Sequence, residues 1–370
     1  MLGIRLLLLF LSLSATLSFG QMSERTYYRT PELEQLALST DGLSFSMNDD
    51  HMEPFSVREY TSSDGMMYWY RRIATEVCLT GDCRPIDVGI YWDFKGDFTG
   101  LEVFKEPLTK TDHSDFKAWD YRKLMSILKD DWSPLREYSL SELVDEKPAD
   151  SSVDAVSGAT KHEIAEAAVE KAVYTTHTLW HLIHVGEKEQ LAKLTAQRLT
   201  QNHQLKKTLQ TNRAKFLPFL LDMFGQGHIP QDAFTESIVL DGLTDSTDPT
   251  LRTVALNALQ QLDLTKPGIQ DRLAVIYKAK KQPEKVEILT RLKPVSELSK
   301  QWYDTVAEDL NAENPWMAVK ILNALKSSSQ HPPEVIDIVK KLSQSDIPVV
   351  RKAVKEFEQA RQNGQTILIK

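Results

Sequence analysis

Asp154-Ala155-Val156-Ser157-Gly158-Ala159-Thr160 runs directly into a helix-forming stretch, Lys161 to Val185. Reading this junction decides what the first half of the chain is. The free N–H groups and the macrodipole at a helix start attract a phosphate. Thr160 stands where the helix should begin, so its hydroxyl is presented to that region. Gly158 allows backbone angles that a side chain forbids, and Ala159 leaves room for a bulky group. A plain loop closed by a threonine N-cap has the same local look.

The pattern Asp-x-x-Ser/Thr-Gly-Ala-Thr carried by these residues resembles the flavinylation signature of the FMN-binding domain family. That family includes subunits of the sodium-pumping NADH:quinone reductase and many exported redox proteins. The resemblance implies FMN joined through its phosphate to Thr160 by a phosphoester bond, made by a dedicated flavin transferase. Asp154, Ser157, Gly158 and Ala159 are then the recognition frame. It covers residues 66–185. Glu106-Pro107 stands where the family has a Glu-Thr pair, so no flavin contact is carried over there.

The N-terminus points to the compartment. Arg5 precedes an apolar stretch from Leu6 to Phe19, broken only by small Ser, Ala and Thr residues, with Ser18-Phe19-Gly20 at the expected cut. A secretory signal peptide over 1–20 is expected, with an uncleaved anchor as the alternative. The mature chain is then extracytoplasmic, periplasmic or secreted, where a covalent bond would keep FMN from being lost. The formal net charge is −8, and loss of the leader removes Arg5 and no acid, giving −9. An acidic surface repels phosphate backbones and argues against a nucleic-acid partner. Cys78 and Cys83 are the two cysteines, separated by Leu-Thr-Gly-Asp. In an oxidising compartment they are expected to form a structural disulfide across a tight turn, with a redox-active pair as the alternative.

Residues 21–65 show no sustained period and read as an irregular lead-in segment. From Met66 the texture turns to strands. Met66 to Leu79 is rich in aromatic and β-branched residues, and Val88, Ile90, Trp92 and Phe94 alternate along the next run. Ser114 or Asp115 is expected to cap a helix carrying Phe116, Trp119, Leu124, Ile127 and Leu128, and Ser139-Leu140-Ser141-Glu142 reads as a capping box. Strands and helices without regular alternation predict an α+β domain. Along the helix after Thr160, Ile164, Ala168, Ala172, Leu179 and Ile183 form one apolar stripe. His177, His181 and His184 share a face at a spacing that a metal could use or that core packing could fill. Trp119, Tyr121 and Trp180 could stack on a flavin ring or sit in the core.

Residues 186–370 are different. Pro249, Pro283, Pro315 and Pro348 recur at near-regular intervals, each heading a helix-like segment, where a missing N–H is harmless. Asp248-Pro249-Thr250-Leu251-Arg252 and Asp346-Ile347-Pro348-Val349-Val350-Arg351 look like HEAT-type repeats, predicting an all-α stacked array ending in a polar cap over 359–370. A non-repeating bundle is the alternative.

Together these features imply an exported electron-transfer flavoprotein with a partner-docking array, served by redox partner proteins or by a membrane complex reached through one. No Ser-His-Asp set, zinc motif, nicotinamide fingerprint or phosphate-binding glycine loop points to a stand-alone enzyme. Two other readings remain open: a helical-repeat scaffold with a structural flavin-like domain, and an extracytoplasmic flavin-dependent reductase.

Overall fold

The computed structural model describes residues 25–39, 42–48, 52–78, 83–143, 162–201, 205–244, 248–292, 295–328 and 330–367. The expected leader and the 154–160 motif lie outside the described residues.

An antiparallel sheet opens the fold, and helices come after it. Its strands are β1 (Thr26–Arg29), β2 (Ser44–Asn48), β3 (Pro54–Thr61), β4 (Met67–Thr75), β5 (Ile86–Asp93) and β6 (Phe98–Phe104), in the order β1-β6-β5-β4-β3-β2. Five strands form a meander, and β1 closes the far side by pairing with β6, Arg29 opposite Glu102. The lead-in expected to be irregular therefore supplies β1, β2 and β3. Short α1 (Pro31–Glu34) comes after β1 and buries Leu33. Gly100 on β6 faces that leucine at a distance no Cβ could share, which fixes glycine there. β5 is buried on both faces: Val88, Ile90 and Trp92 on one, Tyr91 on the other, where its hydroxyl donates to Glu102 Oε2 at 3.0 Å.

Helix α2 (Ala118–Leu128) starts later than expected. Ser114 does not cap it; its hydroxyl bonds Asp112 Oδ1, while Asp120 reaches back to accept from Lys117 N at 2.8 Å. Two 3-10 turns come next, Pro134–Glu137 and Leu140–Glu142, and in the second Glu142 accepts from Ser139 N at 2.9 Å as the capping box predicts.

The single helix expected over 161–185 is two helices, α3 (His162–Ala167) and α4 (Val173–His184). Lys171 between them adopts φ 57°, a left-handed value outside any helix. Three bonds hold the break: Val169 N donates to Thr176 Oγ1 at 3.2 Å, Thr111 N to Lys171 O at 2.7 Å, and Thr176 Oγ1 to Ala172 O at 2.8 Å. Ile164, Ala168, Ala172, Leu179 and Ile183 are all buried, so the apolar stripe is real although its backbone is interrupted.

The remaining helices are α5 (Glu187–Gln201), α6 (Leu205–Gly225), α7 (Ala233–Thr244), α8 (Pro249–Leu259), α9 (Pro267–Ala279), α10 (Gln282–Arg291), α11 (Lys300–Glu308), α12 (Pro315–Leu325), α13 (Pro333–Leu342) and α14 (Pro348–Ile367). All four prolines singled out in the sequence lie in the first turn of a helix, and Pro267 and Pro333 do the same for α9 and α13. Alternate helices pack on one another: α6 on α8, α8 on α10, α10 on α12, α12 on α14, and separately α7 on α9 and α9 on α11. Residues 359–367 belong to α14.

By compactness the chain divides into two units. The first takes the described residues up to Leu36, with Arg71–Tyr91 and Thr99–His181; the second takes Ala37–Tyr70, Trp92–Phe98 and Leu182–Lys370. In the second, Trp69 Nε1 donates to Thr195 Oγ1 at 2.8 Å and Phe94 lies 4.2 Å from Phe216, so strand ends and the helices α5 and α6 share one core. Among the described residues, no helix is long and apolar enough to cross a membrane.

Candidate functional site

Thr160, Asp154, Ser157, Gly158 and Ala159 fall outside the described residues, and the nearest described element on their C-terminal side is helix α3. It begins at His162, two residues after Thr160. Covalent geometry alone keeps Thr160 Cα within about 7 Å of His162 Cα. Helix α3 packs against the 3-10 turn Pro134–Glu137.

The lead-in is Asp130-Asp131-Trp132-Ser133. Trp132 N donates to Asp130 Oδ1 at 2.9 Å, and Leu135 N to Ser133 Oγ at 3.4 Å, so the turn is pinned at both ends. Trp180 on α4 anchors it from below, its Nε1 donating to Asp130 O at 2.9 Å. The Trp132 ring is left 81 % exposed, and the Arg136 guanidinium carbon sits 5.3 Å from its centroid. That distance is within cation–π range.

The three aromatics considered for ring stacking separate here. Tyr121 is buried, stacked on Tyr28 at 4.0 Å, with its hydroxyl accepting from Leu108 N at 3.1 Å. Burial holds its phenol above the usual range. Trp180 is likewise core. Trp119 is 60 % exposed on α2.

Two of the three histidines, His177 and His181, are occupied by backbone. His177 Nε2 lies 2.7 Å from Tyr138 O, and because a carbonyl only accepts, that nitrogen carries the proton. His181 Nδ1 donates to His177 O at 3.0 Å, and the two rings stack at 3.9 Å. Burial holds the His177 imidazole below its usual range, against the pull of the Tyr138 carbonyl. Among the described residues no group of three or more His, Cys, Asp or Glu side chains is placed to hold a metal ion.

Cys78 and Cys83 are within disulfide distance, Cα atoms 5.8 Å apart, a separation typical of the bond. Cys83 N also donates to Cys78 Sγ at 3.1 Å. Beyond Cys83, Arg84 borders a cleft of about 330 Å³ with Asp87, Phe104, Lys105 and Glu106. Its charges are mutually paired: Arg84 with Glu106 at 3.3 Å and Asp115 at 3.5 Å, Lys105 with Asp87 at 2.9 Å. Glu106-Pro107 thus serves an ion-paired cleft wall.

A phosphorylated aromatic needs a flat apolar surface and a cation. Trp132 and Arg136 place an exposed ring and a cation on the turn that α3 packs against. Sequence reasoning missed the pair. A tryptophan between Asp131 and Ser133-Pro134, where no apolar period demands one, was the available signal. Compared with protein-family models, curated proteins and solved structures, the chain matches none.

Proposed function

We propose that this chain is an exported electron-transfer flavoprotein carrying FMN on Thr160 through a phosphoester, with its C-terminal helices serving as a docking array for redox partner proteins. The motif Asp154 to Thr160 carries the reading. A flavin transferase would make the bond, and FMN supplies the electron chemistry while the chain's own residues set retention and access. Trp132 and Arg136 beside α3 support a flavin at this end of the first unit. The paired layers formed by alternate proline-led helices support HEAT-like stacking, an architecture whose extended faces suit protein partners.

The test is intact-protein mass on exported material made with a flavin transferase. The expected gain is one FMN less one water, lost in Thr160→Ala together with in-gel flavin fluorescence. Fluorescence that survives Thr160→Ala removes the assignment. A second reading, a helical-repeat scaffold with a structural sheet, is favoured by the burial of Tyr121 and Trp180, which takes both away from any ring. Under that reading the purified chain is colourless.

A further inference from the structure

We infer that β2 is a homodimer seam: this edge of the sheet pairs antiparallel with the same strand of a second copy of the chain, with Ser46 lying on Ser46 at the twofold axis.

β2 ends the strand order, and among the described residues β3 is its only strand neighbour. Its register with β3 is unbroken from Ser44↔Arg58 to Asn48↔Pro54. Just outside that run, Glu59 N donates to Leu43 O at 2.8 Å. Bonded and unbonded pairs alternate along an antiparallel ladder. Phe45 and Met47 therefore bond inward to β3, while Ser44, Ser46 and Asn48 turn their N–H and C=O groups outward. Pro54, which has no N–H to give, sits opposite Asn48 as that alternation requires. The sheet's other edge strand is guarded. β1 is four residues long, has a register shift between Thr26 and Tyr28, and ends in Arg29. Short length, bulges and charges all discourage further pairing. Ser44-Phe45-Ser46-Met47-Asn48 carries no charge, no proline and no bulge.

The register identifies the occupant. In an antiparallel pair of β2 strands centred on Ser46, Ser44 meets Asn48 of the second copy and Ser46 meets Ser46. Every outward N–H and C=O then finds a partner. Moving the centre to Phe45 or Met47 leaves an outward residue unpaired at one end of each strand. The centred register also sets Phe45 opposite Met47 of the second copy at an unbonded pair, where side chains come closest. Both side chains are half-buried in the single chain. Phe45 already lies edge-on to Trp69 at 5.7 Å, with the Arg198 guanidinium carbon 4.7 Å from its ring centroid. A thioether beside that ring adds a favourable contact. No like charges meet within the seam, because β2 has none. A seam of five residues is small, so the dimer is weak and forms only as concentration rises. The formal charge of −8 on each chain opposes it at long range, and salt screens that opposition.

The test is sedimentation of the full chain over a rising concentration series. Wild-type protein should pass from monomer to dimer, and at lower concentration in high salt than in low. Ser46 is exposed, so charged replacements there leave the fold alone. Ser46→Lys and Ser46→Asp each set like charges face to face at the axis, and each should move the midpoint to severalfold higher concentration. An equal mixture of the two should dimerise more tightly than either alone, now weakening with salt. A wild-type chain that stays monomeric throughout overturns the inference. So does a dimer that both variants leave intact, which places the contact elsewhere. A mixture no tighter than its parts also overturns it and leaves the edge to another protein's strand.

Discussion

Thr30 and Leu101 are 71 residues apart in sequence, yet Thr30 Oγ1 donates to Leu101 O at 3.0 Å and accepts from Leu101 N at 2.9 Å. From Pro249 onward the helices lean on partners closer in sequence. There α8 leans on α10, α10 on α12 and α12 on α14, and ion pairs such as Lys278–Glu308 and Lys285–Asp309, both 2.7 Å, join segments about one repeat apart. The first arrangement makes each residue answerable to distant ones. The second limits each helix to its neighbours, which is the behaviour of a stacked array.

Core truncations should separate the two most sharply. Leu101→Ala and Leu322→Ala each remove a buried side chain and should each cost about 2–5 kcal/mol. Hydrogen exchange should show Leu101→Ala lowering protection in β1, β5 and β6 together. Leu322→Ala should act on α10, α12 and α14 while α7 keeps its wild-type protection. Equal loss in α7 would break the contrast. Replacing Cys78 and Cys83 by Ser should cost about 2 kcal/mol in a denaturant titration, the entropy expected for so small a loop. Flavin loading should not change. A double variant with wild-type stability but altered flavin reduction would move the pair to the redox reading.

Smaller effects sharpen the helical side. Asp248 Oδ1 accepts from Thr250 N at 2.8 Å and Asn314 Oδ1 from Met317 N at 3.2 Å. Either residue changed to Ala should cost about 1 kcal/mol, read as a lower denaturant midpoint, and the double variant should be additive because the caps serve different helices. The least effect is expected from pH. Burial, helped by nearby Arg361, holds His331 at about 4. A folded value below the unfolded one means the unfolded chain takes up the proton first. Stability should therefore fall as pH drops from about 6.5 towards 4. His331→Asn should flatten that slope in urea midpoints measured across the window; an unchanged slope would place the titration elsewhere.

The same contrast explains what the sequence could tell. A proline at the first turn is a local signal, so Pro249, Pro283, Pro315 and Pro348 marked helix starts correctly. Pro267 and Pro333 escaped because they head the alternate helices and fall between the beats of the repeat. β3 was not visible because Arg58 and Glu59 interrupt its apolar content, and Glu59 is paired with Arg198, 2.7 Å away and 139 residues later. The break between α3 and α4 was hidden for the opposite reason. Ala168, Val169, Ala172 and Val173 are all buried, so the apolar period runs on through a gap made by Lys171 and by bonds from Thr111 and Thr176. At the candidate site the motif was legible as a string of residue types, whereas Trp132 and Arg136 gained meaning only when α3 was seen against their turn.

That break also sets how the first unit responds to tension. Six residues of helix are too few to persist alone, so α3 depends on packing such as its contact with the Pro134–Glu137 turn. An enzyme pulling on the chain ahead of His162 would peel α3 away and then meet Lys171, clamped through its carbonyl to Thr111 N. Beyond it stands α4, tied by Thr175 Oγ1 to Thr109 O and by Trp180 to Asp130. Loss of α3 would thus stop at the clamp, and α4 would keep bonds of its own.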